Sequence, residues 1–195
     1  MVYPSYGLAD LLNLTPKRRC FISYHHADEI AVRYFIATFA TAGQVFTSRA
    51  LGMEMEPDII SSWDTDYVLR RIRERYLATT SVTIVMIGRC TRTRRYVDWE
   101  IAASLRNMPG GPANGLLGIK LPTYVTGDGY PDRLNANLLP PPVLPGQECY
   151  ARAIDYPTSA LELSNAIEAA YQRRESLAHL IDNSSPRFSY NRQCI

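Results

Sequence analysis

Residues 81–87 read Ser-Val-Thr-Ile-Val-Met-Ile, and this stretch decides the fold class. The run is almost wholly apolar, which fits a central strand of a parallel sheet covered on both faces. Upstream, Val68, Ile72 and Tyr76 form one helical stripe with Leu69 and Leu77 beside it, so the spacing predicts a helix from about Asp64 to Ala78. Arg70, Arg71, Arg73 and Arg75 lie mostly off that stripe. Further back, Arg19-Cys-Phe-Ile-Ser-Tyr24 reads as a buried first strand and Gln44-Val-Phe-Thr-Ser48 as a second. Between them Val32, Phe35, Ile36 and Phe39 recur at helical spacing, with Asp28 placed to cap the helix and Gly43 to end it.

Downstream of 87, Val97, Ile101 and Leu105 predict a third helix, stopped by Pro109-Gly-Gly-Pro112. Leu116-Leu-Gly-Ile-Lys-Leu121 reads as a fourth strand and Tyr150-Ala-Arg-Ala-Ile154 as a short fifth. Residues 122–146 carry six of the thirteen prolines and read as a long loop. Ser159 and Glu162 form a capping box before a last helix that runs toward Ile181. Strands alternating with helices imply right-handed βαβ units and a mostly parallel sheet. Such sheets bind ligands at the carboxyl ends of the strands, which directs attention to the positions after Tyr24, Thr47, Ile87 and Leu121. The chain divides into an arm (1–16), one domain (17–181) and a polar tail (182–195).

The 195 residues fit one domain. Lys and Arg number 21 against 19 Asp and Glu, a net charge of +2 that predicts neither nucleic-acid nor anionic-membrane binding. No run approaches the ~18 apolar residues a membrane span needs. Cys20, Cys90, Cys149 and Cys194 have no metal-binding spacing and read as reduced thiols. With no signal-peptide pattern at the start, the expected compartment is the cytoplasm.

The turn after the first strand, Ser23-Tyr-His-His-Ala-Asp28, contains no glycine, which argues against a Rossmann fingerprint and a P-loop. GxSxG and HExxH patterns are also absent. His25 and His26 read either as turn histidines bonded to backbone or as substrate contacts at a strand end; adjacent side chains chelate one metal poorly. Glu100 flanks the apolar stripe of its helix, with Tyr96 one turn before it and Ser104 one turn after. From spacing alone it reads as a surface glutamate; beside Tyr96 and Trp99 it would be a partly desolvated carboxylate near aromatic surface. Arg89, Arg92, Arg94 and Arg95 read either as a solvated basic loop or as a phosphate site at a helix N-terminus.

Three segments together carry a resemblance. Arg19–Asp28 resembles the opening strand and turn of TIR-like (Toll/interleukin receptor) domains. Asp66–Arg75 with Ser81–Gly88, and Thr91-Arg-Thr-Arg-Arg-Tyr-Val-Asp-Trp-Glu-Ile101, resemble the bacterial TIR-like subfamily that includes ThsB of Thoeris anti-phage defence. The resemblance covers residues 17–121 well and implies a flavodoxin-like, TIR-like three-layer sandwich whose five parallel strands run in the order 2-1-3-4-5. It also implies cleavage of NAD at the nicotinamide–ribose bond, with no cofactor beyond NAD as substrate and no metal. The expected product is a cyclic ADP-ribose-type signal that activates a separate effector protein after a phage-derived trigger. The family's catalytic glutamate falls on Glu100. Phe21, Ser23, Tyr24 and His25 would form the opposite wall, Tyr96 and Trp99 would shape the pocket, and Arg94 would hold the pyrophosphate. Many TIR domains have Trp in place of Tyr96 and Ser in place of Arg94. Loop 48–62 is where such domains place partner contacts, and a homo-oligomer is expected. The alternative implied by the same resemblance is a non-catalytic interaction and assembly module.

Overall fold

The computed structural model describes residues 16–50, 64–108, 111–140 and 144–194. The expected arm lies outside these residues except for Pro16, as does nearly all of loop 48–62. Strand β1 is Arg19–Tyr24, and helix α1 (Glu29–Phe35) continues through a wider π-helical stretch, Ile36–Ala42. Strand β2 is Thr47–Ala50, and α2 (Thr65–Ile72) continues in the same wider winding to Leu77. Then follow β3 (Val82–Ile87), α3 (Arg95–Ser104), β4 (Gly115–Lys120), the short α4 (Asp132–Asn135), β5 (Ala151–Ile154) and α5 (Ala160–Ser176). The strands form one five-stranded sheet in the order 2-1-3-4-5, and all four pairings are parallel. This is the flavodoxin-like α/β arrangement expected from the sequence.

The period-2 alternation of the strands builds three layers. Cys20 and Ile22 of β1, Val82, Ile84 and Met86 of β3, and Leu117 and Ile119 of β4 face one side. They pack with Val32, Phe35 and Phe39 of the first helix and with Leu163, Ile167 and Ala170 of α5. On the other side Phe21 meets Val68, Leu69 and Ile72 of α2 and Trp99 of α3. Val85 and Ile87 there meet Val97 and Ile101, also of α3. Every residue of β3 is buried, as its apolar run requires.

Several boundaries differ from expectation for local reasons. β2 starts at Thr47 because residues 43–45 close the preceding helix: Gly43 N–H donates to Thr38 and Val45 N–H to Phe39. Gln44 takes a positive φ of 48° in that closure. α3 ends at Ser104, before the Pro-Gly-Gly-Pro segment, because the Ser104 carbonyl is claimed by the Asn114 N–H at 3.0 Å. Asp28 stands at the N-cap of α1 without capping it; its carboxyl bonds Thr123 Oγ1 at 2.7 Å instead. Residues 122–146 include α4 rather than loop alone. α5 stops at Ser176 instead of reaching Ile181, although Ser159 caps it as expected, accepting from the Glu162 N–H.

The cysteines require a correction. Cys90 and Cys194 form a disulfide with Cα atoms 5.3 Å apart, while Cys20 and Cys149 are free. A pairing across 104 residues leaves no spacing signal. The pair exists because residues 182–194 fold back over α3.

Gly115 starts β4 where a Cβ would overlap the backbone carbonyl of Ala170 in α5. Gly115→Ala is expected to destabilise the fold by about 1–3 kcal/mol. Gly111→Ala, whose Cβ would meet only an Arg174 side-chain atom at 3.8 Å, is the near-neutral control. Urea melts of both variants test the packing of α5 on the sheet, and equal stabilities would contradict it.

Candidate functional site

Chain order reverses between β1 and β3, so the crevice outside their carboxyl ends is the expected ligand position. Ser23 lies on the α3-facing side of β1, two residues beyond Phe21, and is fully buried. α3 lies across the same face and brings Glu100 to it. Glu100 is only 4% exposed, so the structure corrects the surface reading of its spacing. Its Oε2 is buried without a hydrogen-bond partner, as is Ser23 Oγ. Burial raises the Glu100 pKa to about 8, and the neighbouring Ser23 hydroxyl only partly offsets this. A buried polar atom without a partner is costly and uncommon, so it points to a functional position.

One turn further along α3, a buried polar chain fixes the helix to the sheet. Asn114 Nδ2 donates to Thr83 Oγ1 at 3.2 Å, Thr83 Oγ1 to Ser104 Oγ at 2.7 Å, and Ser104 Oγ to the Glu100 carbonyl at 2.8 Å. On the other flank Asp98 pairs with Arg133 at 3.0 Å, both buried. Arg133 also donates to Asn183 Oδ1 and to the Ser185 carbonyl, and Asp98 accepts the Phe188 N–H. Such a pair resists the loss of either partner, since the survivor would remain charged and buried.

The other sequence-predicted residues gather unevenly. Tyr24 is half-buried, and its hydroxyl pKa is raised by burial and then by Glu29 and Glu100. His25 falls to about 4 through burial, with Arg94 and then His26 adding to it, so it is neutral at physiological pH. The two histidine rings meet edge-on at 5.1 Å. Arg94 therefore stands beside the β1 turn. Its guanidinium is already engaged by Thr93 Oγ1 at 2.7 Å and by the Arg192 carbonyl at 3.3 Å. Tyr96 is partly exposed and packs edge-on against Trp99 at 5.6 Å. Trp99 and Phe21 belong to the core between the sheet and α2–α3, and the Trp99 Nε1 donates to the Phe188 carbonyl at 2.9 Å. Trp99 also lines a cavity along the outer stripe of α3.

Two cavities open elsewhere along these elements. One of about 760 Å³ runs along the outer stripe of α3, between Arg95, Trp99, Ala102 and Arg106 and residues 183–189. The other, about 490 Å³, opens beside Asp28, Ile30, Tyr34 and Tyr156. Neither is lined by Glu100. Sequence reasoning placed Ser104 one turn after Glu100 but missed the supporting residues Thr83, Asn114 and Arg133. Two are small polar residues and the third lies in the proline-rich stretch, so none carries a pattern of its own.

The chain is a doubly wound α/β sandwich of flavodoxin-like order with a buried glutamate at its strand-order switch. Residues 21–126, more than half of the chain, match the family described as Thoeris protein ThsB, TIR-like domain, and the chain belongs to that family. No curated protein matches it. The match ends before β5, α5 and the segment that folds back over α3.

Folding lifts the Glu100 pKa from 4.5 to about 8. Between those values the folded protein holds a proton that the unfolded chain releases, so stability falls as pH rises. Glu100→Gln removes this linkage. Wild type is expected to lose stability relative to the variant by roughly 1 kcal/mol per pH unit from about pH 5 to 8. Urea melts across that range test it, and parallel curves for the two proteins would show a solvated carboxyl.

Proposed function

We propose that this protein cleaves NAD at the nicotinamide–ribose bond and forms a cyclic ADP-ribose-type signal in anti-phage defence. The observation that carries the reading is the buried carboxyl of Glu100 at the carboxyl end of β1, whose Oε2 has no hydrogen-bond partner. Family membership supports it independently.

Breaking the glycosidic bond sends its electron pair to the nicotinamide nitrogen and leaves a ribosyl cation. A carboxylate held in a desolvated site stabilises that charge more strongly than one in water. In the resting protein Glu100 is largely protonated near neutral pH. Entry of the positively charged nicotinamide ring favours its ionisation, so the carboxylate forms where the cation will form. Ser23 and the neutral His25 offer polar contacts on the opposite wall, and Arg94 can take the pyrophosphate by giving up the Arg192 carbonyl. Capture of the cation by another group of the same molecule closes a ring; capture by water gives linear ADP-ribose. The residues need no metal or further cofactor for this chemistry. The product then acts on a separate effector protein, with a phage-derived trigger upstream and a cytoplasmic setting for both.

Assembly is a second reading with its own observation. Ile30 is 86% and Tyr34 68% exposed, one turn apart on α1. An apolar pair so placed suits contact with a further copy of the chain, and self-association is compatible with catalysis.

Wild-type protein incubated with NAD is expected to release nicotinamide, with kcat/KM rising with pH through a midpoint near pH 8 as Glu100 ionises. Glu100→Gln is expected to lower kcat at least ~10²-fold and to abolish that pH dependence. Equal release by the two proteins removes Glu100 from the mechanism. Release by neither, even at high concentration, with tight self-association, favours the assembly module.

A further inference from the structure

Residues 182–194 were expected to be a polar tail, yet they run along α3 and are bonded to it at Asn183, Phe188, Ser189 and Asn191. Asn183 Nδ2 donates to the Ala102 carbonyl at 3.0 Å, and the Phe188 N–H to Asp98 Oδ2 at 3.0 Å. Trp99 Nε1 donates back to the Phe188 carbonyl. The Arg95 N–H, one of the open donors of the first helical turn, is satisfied by Asn191 Oδ1 at 2.9 Å. Beyond it the Arg192 N–H reaches the Thr93 carbonyl at 2.9 Å, and the Arg192 carbonyl accepts from Arg94. The segment finishes in the Cys90–Cys194 disulfide.

These attachments surround Glu100. Asp98, Trp99 and Ala102 lie within two residues of it, and Arg94 and Arg95 lie at the start of its helix. Little apolar burial holds the segment down. Phe188 is 8% exposed, but Tyr190 is 73% exposed and Asn191, Arg192 and Gln193 lie in solvent. Solvated polar bonds close and open readily, so from Ser189 onward the disulfide is the strongest constraint on the segment. Its Cα separation of 5.3 Å is ordinary for a native bridge.

We infer that residues 182–194 form a strap that positions α3, and that Cys90 and Cys194 are its reversible redox latch. With the disulfide formed, the strap pins the first turn of α3 and the loop carrying Arg94. With both thiols reduced, residues 189–194 lift away, the Arg95 N–H loses its partner and Arg94 is released from Arg192. The oxidant class is a low-molecular-weight disulfide such as glutathione disulfide. One cysteine thiolate attacks it and expels one glutathione thiolate, which takes up the proton. The second cysteine then attacks the mixed disulfide and expels the other. Two electrons leave the protein sulfurs, and two glutathione thiols carry away the two protons. In a reducing cytoplasm the resting latch is open, and an oxidising shift closes it, in keeping with the transient, sensing role of disulfides in that compartment. The strap lies outside the segment matched to the family, whereas Cys90 and the start of α3 lie within it.

The effect on turnover rests on the reading of Glu100 as the group that meets the ribosyl cation; the effect on α3 does not. The full chain is prepared with glutathione disulfide or with dithiothreitol. Alkylation after unfolding is expected to label two cysteines in the first sample and four in the second. Hydrogen exchange at the amides of Arg95 and Arg192 is expected to be at least ~10-fold slower in the oxidised sample. Cys194→Ser is expected to exchange like the reduced protein under both conditions. Asn191→Ala keeps the latch but loses protection at Arg95, and Asn191→Asp, which accepts the same N–H, restores it. If NAD is cleaved, oxidation is expected to raise kcat at least ~3-fold through the fixed α3 and to raise KM, because Arg94 is then held by the Arg192 carbonyl, and Cys194→Ser to be indifferent to it. Four labelled cysteines after oxidation, or α3 exchange unmoved by reduction and by Cys194→Ser, overturns the strap. Nicotinamide release equal in wild type and Glu100→Gln overturns the reaction while leaving the exchange and labelling results to stand.

Discussion

Glu100 can be desolvated only because the helix that carries it is fastened where it crosses the sheet. Along its inner face the Asn114–Thr83–Ser104 chain of hydrogen bonds ends on the carbonyl of Glu100 itself. On its outer flank the buried Asp98–Arg133 pair ties α3 to α4 and to residues 183–188. Below it Trp99 and Ala103 pack with Phe21 and α2. An unpartnered carboxyl pushes its surroundings to open toward water, and a loosely held helix would rotate to let it out. The anchors prevent that and keep the carboxyl at the end of β1.

The same arrangement connects fold to chemistry. A parallel sheet of order 2-1-3-4-5 leaves its crevice between β1 and β3, and the residues gathered there come from both. Ser23, Tyr24 and His25 come from the end of β1, Arg94 from the loop after β3, and Glu100 from the helix that follows it. Burial moves the titratable members in opposite directions: the carboxyl up toward neutrality and the imidazole down and away from charge. The site at rest is therefore less charged than its composition suggests.

Much of the fold was legible because two strands, 19–24 and 82–87, are dense apolar runs that cannot be placed anywhere but inside. Their order and the helices between them followed from periodicity and from the family resemblance. The boundaries that moved did so through tertiary hydrogen bonds, such as that from Asn114 to Ser104, which no local pattern encodes. For the site, the spacing of Tyr96, Glu100 and Ser104 was visible but undecided, since a glutamate on the flank of a stripe is ordinarily wet. What buries it is the packing of α3 on strands distant in sequence, which brings Ser23 of β1 against the carboxyl. The Cys90–Cys194 pair was illegible for the same reason: a polar segment returning across a helix looks, residue by residue, like a solvated end.

The account turns on the electrostatic state of one carboxyl, and carbon-13 NMR of the labelled glutamate δ-carboxyls reads it directly, with Glu100→Gln supplying the assignment. The resonance of Glu100 is expected to titrate near pH 8 in the protein alone and to move to lower pH when NAD occupies the site. A resonance that titrates near 4.5, the ordinary value for this side chain, and is indifferent to NAD would contradict both the burial and the chemistry built on it.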